Sequence, residues 1–338
     1  MKNAQTKRPT LEDVARVAGV SRSLASLALR GEPGVAARSR TAILEAARRL
    51  SYFPNVSARS LASASSKVLG LLIGTLKNPH HAAIAAKAAD VGYREGYEVI
   101  LSTVSLDGDQ SFHAMQTLMA TQIAGLMFVG VPLTDEQIAK IADEIPCATI
   151  GRNVSLPNMD AVYVDDEAGA RLVVEHLVQL GHRRIAHLDG GRGAGAEERR
   201  MGYLAAMREN GLGSEALIVP GNYTSEGGEK AAAGLFLHAD VPTAIFAAND
   251  YSAIGVLRVL LEKGLRVPQQ VSLVGYDNSY LASNAPVGLT SVDQASAQLA
   301  TEAVLRVITR IRETSLESKR IVTTPKLVVR QSIGRAPA

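Results

Sequence analysis

The sequence predicts an all-helical head joined by a short linker to an α/β body of two doubly wound parallel-sheet lobes. Three observations carry that expectation. Residues 1–67 hold 12 Lys/Arg against 4 Asp/Glu, a balance of +8, whereas the rest of the chain balances at −5. Apolar residues in the head recur at helical spacing, but from Val68 onward short continuous apolar runs alternate with amphipathic stretches. That second texture belongs to parallel strands covered on both faces by helices. The runs are too many for one doubly wound sheet, so two similar lobes are expected, and 338 residues suffice for two or three domains.

Three helices are expected in the head. Thr10 followed by Asp13 makes a capping-box-like start, and Leu11, Val14, Ala15 and Ala18 line one face. Gly19-Val20-Ser21 turns the chain, with Ser21 placed to N-cap a second helix running through Leu29. Gly31-Glu32-Pro33-Gly34 then breaks it. A third helix carries Ile43, Leu44, Ala47 and Leu50 and is expected to stop at Pro54. NVSARSLASASSK (55–67) has linker composition, with a short helical piece around 57–62 that is marginal alone.

In the body, strands are expected at 68–74, 98–102, 125–130, 147–150, 161–164, 184–189, 217–219, 244–248, 272–276 and 326–330. Helices fill most gaps, as in DEAGARLVVEHLVQLG (166–181), where Gly181 suits C′. The expected organisation is a head at 1–54, a hinge at 55–67 and a body at 68–338. Lobe 1 takes about 68–164 plus 295–323, and lobe 2 about 165–294 plus 324–332.

Composition excludes several classes. The one cysteine, Cys147, follows Pro146 in an apolar run and reads as buried packing in a chain without disulfides. MKNAQTKRPT lacks the apolar core of a signal peptide, and no run reaches membrane-helix length, so a cytoplasmic protein is expected. The histidines lack convergent metal-ligand spacing and GxSxG is absent; no metal, cofactor or catalytic role is expected. GGRGAGA (190–196) sits between a strand and a helix like a phosphate loop but misses the GxGxxG spacing. A two-lobed solute-binding protein is the rival reading; it would need an export signal and no basic head.

A basic head on a mildly acidic body is the footprint of a nucleic-acid-binding module. In a helix-turn-helix the second helix enters the major groove by its N-terminal end, where Arg22 and Ser23 fall. Arg22 can donate two hydrogen bonds to guanine, while Thr10, Ser21 and Ser26 suit phosphate contacts.

LEDVARVAGVSRSLASLALRG (11–31) followed by SYFPNVSARSLAS resembles the head and hinge of LacI-type, lactose-repressor-like transcriptional regulators. LGLLIGTLKNPHH, VDDEAGARLVVEHLVQLGHRRIAHLDG, AIFAANDYSAIGVLRVL and VSLVGYDNS resemble further landmarks in family order, over residues 10–332. The resemblance implies a periplasmic-binding-protein-like body, a homodimer on a palindromic operator, and a sugar or related metabolite as effector. It implies DNA contacts by Leu11, Tyr52, Asn55 and Ala58, and a minor-groove wedge at Leu61; such wedges unstack a base step and bend the duplex. Two departures alter the recognition helix: Leu27 stands at a usual arginine position, and Arg30 at a usual asparagine position.

Ligands in this architecture bind where strand C-terminal ends face a common crevice. By spacing alone Asp277 is either a hydroxyl acceptor or a loop aspartate, and Asn249-Asp250 opens a helix with Asp250 the expected cap. The resemblance implies effector contacts by Arg199, Asn249, Asp277, Tyr223 and Gln294. The family's usual aromatic pair is replaced at His80-His81, so His81 is expected to face the pocket and His80 solvent. Such a ring would suit a polar or anionic ligand. Arg152 adds positive charge either to the pocket or to the surface. The chain ends soon after KLVVRQSIGRAPA without an apolar heptad, so a dimer without a tetramerising helix is expected.

Overall fold

The computed structural model describes residues 9–52, 66–104, 108–237, 241–313 and 315–337. The chain divides into two compact units between Ser66 and Lys67. The expected hinge residues Asn55, Ala58 and Leu61 lie outside the described residues.

In the first unit, α1 (Leu11–Ala18), α2 (Arg22–Leu29) and α3 (Ala37–Arg49) pack around Val14, Ala15, Ala25, Ala28 and Ile43. Local hydrogen bonds set the first two starts. Thr10 Oγ1 accepts from Asp13 N at 3.3 Å while the Asp13 carboxylate accepts from Thr10 N at 2.9 Å. The backbone N–H and hydroxyl of Thr10 and the Arg16 guanidinium hold the Asp13 carboxyl down at about 2. Gly19 turns at φ +66, and Ser21 Oγ accepts from Leu24 N at 3.2 Å. α3 ends before the expected stop at Pro54, with Leu50 as C-cap and Ser51 at φ +50.

Among the described residues, the second unit contains two six-stranded sheets. One runs β2-β1-β3-β4-β5-β11, all parallel: β1 Val68–Ile73, β2 Glu98–Thr103, β3 Gly125–Val129, β4 Cys147–Ile150, β5 Met159–Val164 and β11 Arg320–Thr323. The other runs β7-β6-β8-β9-β10-β12: β6 Ile185–Leu188, β7 Leu217–Val219, β8 Ala244–Ala247, β9 Ser272–Asp277, β10 Thr290–Asp293 and β12 Lys326–Val328. Only β12 is antiparallel, at an edge, as mixed sheets often are. β10 and β11 carry no strand signal in the sequence. Thr290 and Ser291 are buried but polar, and β11 is a half-exposed edge, so neither shows an apolar run.

Alternation along each strand feeds two cores. In β1, Leu69, Leu71 and Ile73 pack against α4 (Pro79–Arg94) and α12 (Ser296–Arg312). Val68 and Leu72 pack on the other face with α5 (Gly108–Ala120) and α6 (Asp135–Ala142). The second sheet is covered on one face by α7 (Asp166–Gln179) and α8 (Ala196–Glu209), and on the other by α9 (Ser225–Leu235), α10 (Asp250–Glu262) and the short α11 (Tyr280–Asn284). Gly181 closes α7 at φ +91, and Cys147 is fully buried, both as expected. Asp160, fully buried on β5, accepts from both Arg306 and Arg310, which fixes α12 across the first sheet.

The chain crosses between the lobes three times: β5 to α7, β10 to α12, and β11 to β12. Those crossings touch. Asp165 N donates to Thr323 O at 3.0 Å, and Thr323 Oγ1 donates to Gln294 O at 3.4 Å.

α7 and α8 approach so closely at Gly202 that a Cβ there would lie 2.4 Å from Glu167 O, whereas one at Gly234 in α9 would meet nothing. Gly202→Ala is expected to lower the unfolding free energy by about 1–3 kcal/mol. Gly234→Ala is expected to raise it by up to about 1 kcal/mol through helix propensity. Urea midpoints of the two variants test both; a Gly202→Ala midpoint at or above wild type would mean the helices separate without cost.

Candidate nucleic-acid interface and ligand cleft

On the helical unit, Arg22 stands at the first position of α2, exposed like its neighbour Ser23, and makes no hydrogen bond or ion pair among the described residues. Thr10 and Ser21 are exposed at helix starts, their side chains engaged as caps. Arg30 is less free: it donates to Ser26 Oγ at 2.7 Å and to Glu32 Oε1 at 2.6 Å. Leu11 and Tyr52 are half-buried against the unit's core, and Leu27 is half-buried. Arg40, missed in the sequence, bonds Ala28 O and Glu32 O and so pins the loop after α2.

In the body, both sheets end in polar groups at their carboxyl edges, where open α/β sheets bind ligands. Arg199 is 4% exposed. Its Nε donates to Asp166 Oδ1 at 2.8 Å, its Nη1 to Ala248 O at 2.6 Å, and the guanidinium carbon lies 3.8 Å from the Tyr276 ring centroid. Asn249 caps α10 by accepting from Ser252 N at 2.8 Å, and its Nδ2 donates to Tyr223 O. Asp277 ends β9 at φ +107; Gln294 Nε2 donates to its Oδ1, while its buried Oδ2 has no hydrogen-bond partner among the described residues. Burial pushes the Asp277 carboxyl well above the carboxylate range, and the nearby Asp250 adds to this.

Three expectations are corrected. His80 does not face solvent: it is 7% exposed, its Nδ1 2.9 Å from Ser296 Oγ, and burial with His81 and Arg199 nearby lowers its pKa well below the ordinary value. Arg152 does not join the Arg199 group; it donates to Leu133 O and Asp135 Oδ1, each at 2.6 Å, so its charge is committed at the start of α6. Asp250 is not the cap of its helix. Its fully buried carboxylate accepts from Ser279 N, Ser279 Oγ and Ser291 Oγ, and burial pushes it up to about 6. His81 packs its ring against Gly130, with Nδ1 3.0 Å from Thr75 O.

A cavity of about 240 Å³ lies between residues of both lobes, among them Gly151, Asn153, Tyr163, Asp166, Gly195 and Glu198. Asp166 and Glu198 carry no distinctive signal in the sequence, because first-turn acids are ordinary at helix starts, and Asn153 lies in an irregular segment where asparagine is equally ordinary. Among the described residues no His, Cys, Asp or Glu cluster is arranged to hold a metal ion.

The raised Asp277 pKa has a fixed sign of effect. An unfolded aspartate loses its proton near 3.9, so the folded chain keeps a proton that the unfolded chain has lost. Stability therefore falls as pH rises above that value through the folded pKa. Asp277→Asn is expected to gain on wild type between pH 5 and pH 8 by about 1 kcal/mol or more in urea unfolding. A constant difference across that range would show that the carboxyl is ionised throughout.

Comparison with known proteins bears on both sites. The model for bacterial regulatory proteins of the lacI family matches residues 10–55, and that for a periplasmic binding protein-like domain matches residues 174–333. Catabolite control protein A of Priestia megaterium is 30% identical over 328 residues, covering 96% of this chain and 98% of the relative. A LacI transcriptional regulator from a Rhodococcus species is 34% identical, with TM-score 0.76 over 80% of this chain and 100% of that one. The lac repressor dimer bound to operator and the anti-inducer ONPF is 29% identical, with TM-score 0.83 over 97% of this chain and 100% of that one. These relatives are regulators rather than enzymes. The chain carries a three-helix unit with an exposed arginine opening its second helix and a two-sheet body with polar groups at its strand ends, and its relatives match along nearly its whole length: the protein belongs to the lacI family of bacterial regulatory proteins.

Proposed function

We propose that the chain is a cytoplasmic, homodimeric repressor that reads a palindromic operator through α2 and is controlled by a small polar metabolite, a sugar or a related molecule, held between the two lobes. The DNA half rests on Arg22, an exposed guanidinium without a partner among the described residues, at the start of a side-chain-capped helix. The lac repressor relative was solved as a dimer on operator with an anti-inducer, which supports the dimer and both ligand classes.

Thr10, Ser21 and Ser26 would contact phosphates, with Leu11 and Tyr52 packed beside them. Asn55, Ala58 and Leu61 would form the hinge contacts in the minor groove. The carrying observation for the effector is Asp277 Oδ2, a buried oxygen without a hydrogen-bond partner among the described residues, which a ligand hydroxyl would satisfy by accepting the carboxyl proton or by donating to the carboxylate. Arg199, already paired with Asp166, would add donors without a net positive charge, so a neutral hydroxyl-bearing ligand suits the cleft better than an acid. Ligand bound there would bias the angle between the lobes, and operator affinity would follow by linkage.

The test is selection of genomic fragments by the purified full-length dimer at fixed salt, followed by a metabolite panel for release or tightening. An enriched palindrome is expected. Arg22→Ala is expected to relax one half-site position by about 1–3 kcal/mol of discrimination, the value of a bidentate guanine contact; an unchanged rank order of operator variants would remove Arg22 from base reading. Asp277→Ala is expected to keep operator binding and lose the metabolite response, and a retained response would move the ligand elsewhere.

A further inference from the structure

Between Asp13 and Glu45 the sequence holds five arginines and a single carboxylate, Glu32, which stands just past the end of α2. Its place is fixed by the backbone. Gly31 turns left-handed at φ +76 and donates its N–H to Ala28 O at 3.1 Å, and Glu32 N donates to Leu27 O at 3.1 Å. Those two bonds close α2 in the paired pattern that a glycine after a helix permits. Arg40, from α3, donates to the Glu32 carbonyl at 2.5 Å and to Ala28 O at 3.2 Å, so the turn is also held from the neighbouring helix. From this position the Glu32 carboxylate accepts from Arg30 Nε at 2.6 Å, while Arg30 Nη1 donates to Ser26 Oγ at 2.7 Å. An isolated surface ion pair contributes little, because two mobile side chains must be ordered to make it. Here the carboxylate stands on a turn whose backbone is already bonded, and Ser26 holds the guanidinium from a second side. Arg22, Ser26 and Arg30 follow at four-residue spacing and so share a face of α2. That face therefore carries an exposed arginine at its start and an engaged one at its end.

We propose that Glu32 is a positioning residue that restrains the DNA-reading helix, holding the Arg30 guanidinium against Ser26 and off the phosphate backbone. The proposal rests on the reading of α2 as the helix that meets DNA. Ser26 Oγ accepts from Arg30, so the proton of its hydroxyl stays free to donate to a phosphate oxygen, and Arg30 lies one hydrogen bond from that contact. A guanidinium so placed has phosphate as its alternative to the carboxylate. With Glu32 in place each head grips the backbone through one cation fewer, which lowers the sequence-independent share of affinity. The ligand concerned is duplex DNA of any sequence, and base reading is left to Arg22.

The test measures binding of the full-length chain to a labelled mixed-sequence duplex by fluorescence anisotropy across a salt series. Glu32→Gln keeps the backbone bonds of the turn and is expected to keep the wild-type Tm. Its log Kd is expected to depend more steeply on log salt, by about 0.9 for each head in the complex, the value of one phosphate contact. Glu32→Ala, which leaves Arg30 no acceptor at that position, is expected to steepen the slope at least as much. Arg30→Gln is expected to keep the wild-type slope, and Glu32→Gln added to it to change nothing further. Glu45→Gln, which removes an equal charge from α3, is expected to match wild type. Wild-type slopes in both Glu32 variants would mean that Arg30 leaves the carboxylate unaided when DNA binds, and they overturn the restraint. Steepening that survives in the Arg30→Gln background, or that Glu45→Gln reproduces, overturns it too, since net charge alone would then be the cause. So does an Arg30→Gln slope shallower than wild type, which would put Arg30 on a phosphate already. The duplex carries no operator, so a chain that fails to select one leaves this result standing. If neither wild type nor Glu32→Gln binds duplex at low salt, the DNA reading falls and the restraint with it.

Discussion

The buried pair of Arg199 and Asp166 is the interaction on which the ligand side of the body depends. Asp166 opens α7 immediately after the first crossing between lobes, Arg199 sits in the first turn of α8, and Ala248, which accepts from the same guanidinium, follows β8. One side chain therefore joins a crossing, a helix start and a strand end. Charges this buried persist only when paired and hydrogen-bonded, and losing either partner leaves an uncompensated ion at a cost of about 3–5 kcal/mol. The pairing also fixes the electrostatics of the cleft. With Arg199 balanced by Asp166, the Asp277 carboxyl keeps one oxygen without a partner among the described residues, and a hydroxyl, which can both donate and accept, meets it in either protonation state.

Asp277 is one hydrogen bond from the segments that connect the lobes. Gln294 donates to it and lies in the second crossing, whose backbone accepts from Thr323 in the third, which in turn accepts from Asp165 in the first. A ligand that changes how Asp277 shares its oxygens changes the partner of a hinge residue directly. Differential contact of that kind is what linkage requires, because a ligand binding two lobe arrangements equally shifts neither.

Local chemistry was legible in the sequence and long-range chemistry was not. Thr10, Asp13 and Ser21 could be read as caps because each partner lies three residues away. Nearly all apolar strands could be read, since burial on both faces demands continuous hydrophobic runs. β10 escaped because Ser291 is satisfied by Asp250 and the Thr290 N–H by Ser332, partners that no window of sequence contains. His80 read as an exposed helix start for the same reason: Ser296, which buries and bonds it, lies 216 residues away. Asp250 reads as a cap for the same reason, its partners Ser279 and Ser291 lying 29 and 41 residues away, and only Leu133 and Asp135 decide between the two places open to Arg152. GGRGAGA could be read as a loop, but not as the surround of a ring, because Tyr223, which borders Gly190 and Gly193 and bonds Ala194, lies 29 residues beyond Ala194.

Two of the proposed contact residues, Tyr223 and Asp277, and Asn278, which follows Asp277 in the chain, share a backbone property that keeps them in place before a ligand arrives. Tyr223, Asp277 and Asn278 all occupy left-handed backbone at φ +60, +107 and +47, although none is glycine. Each such residue costs about 1–2 kcal/mol and persists only where neighbours over-determine it. Those neighbours are visible. Asn278 N donates to Ser291 Oγ, its Nδ2 to Asp293, and its Oδ1 accepts from Arg330, so β10 and the segment after β12 hold the turn that presents Asp277. Tyr223 is held by Asn249 and Ala194. Strain met in advance by the protein need not be met by the ligand, whose binding free energy then goes into the difference between lobe arrangements and not into ordering the site. A sensor gains most from that division, because only the differential part of the binding energy can alter affinity for DNA.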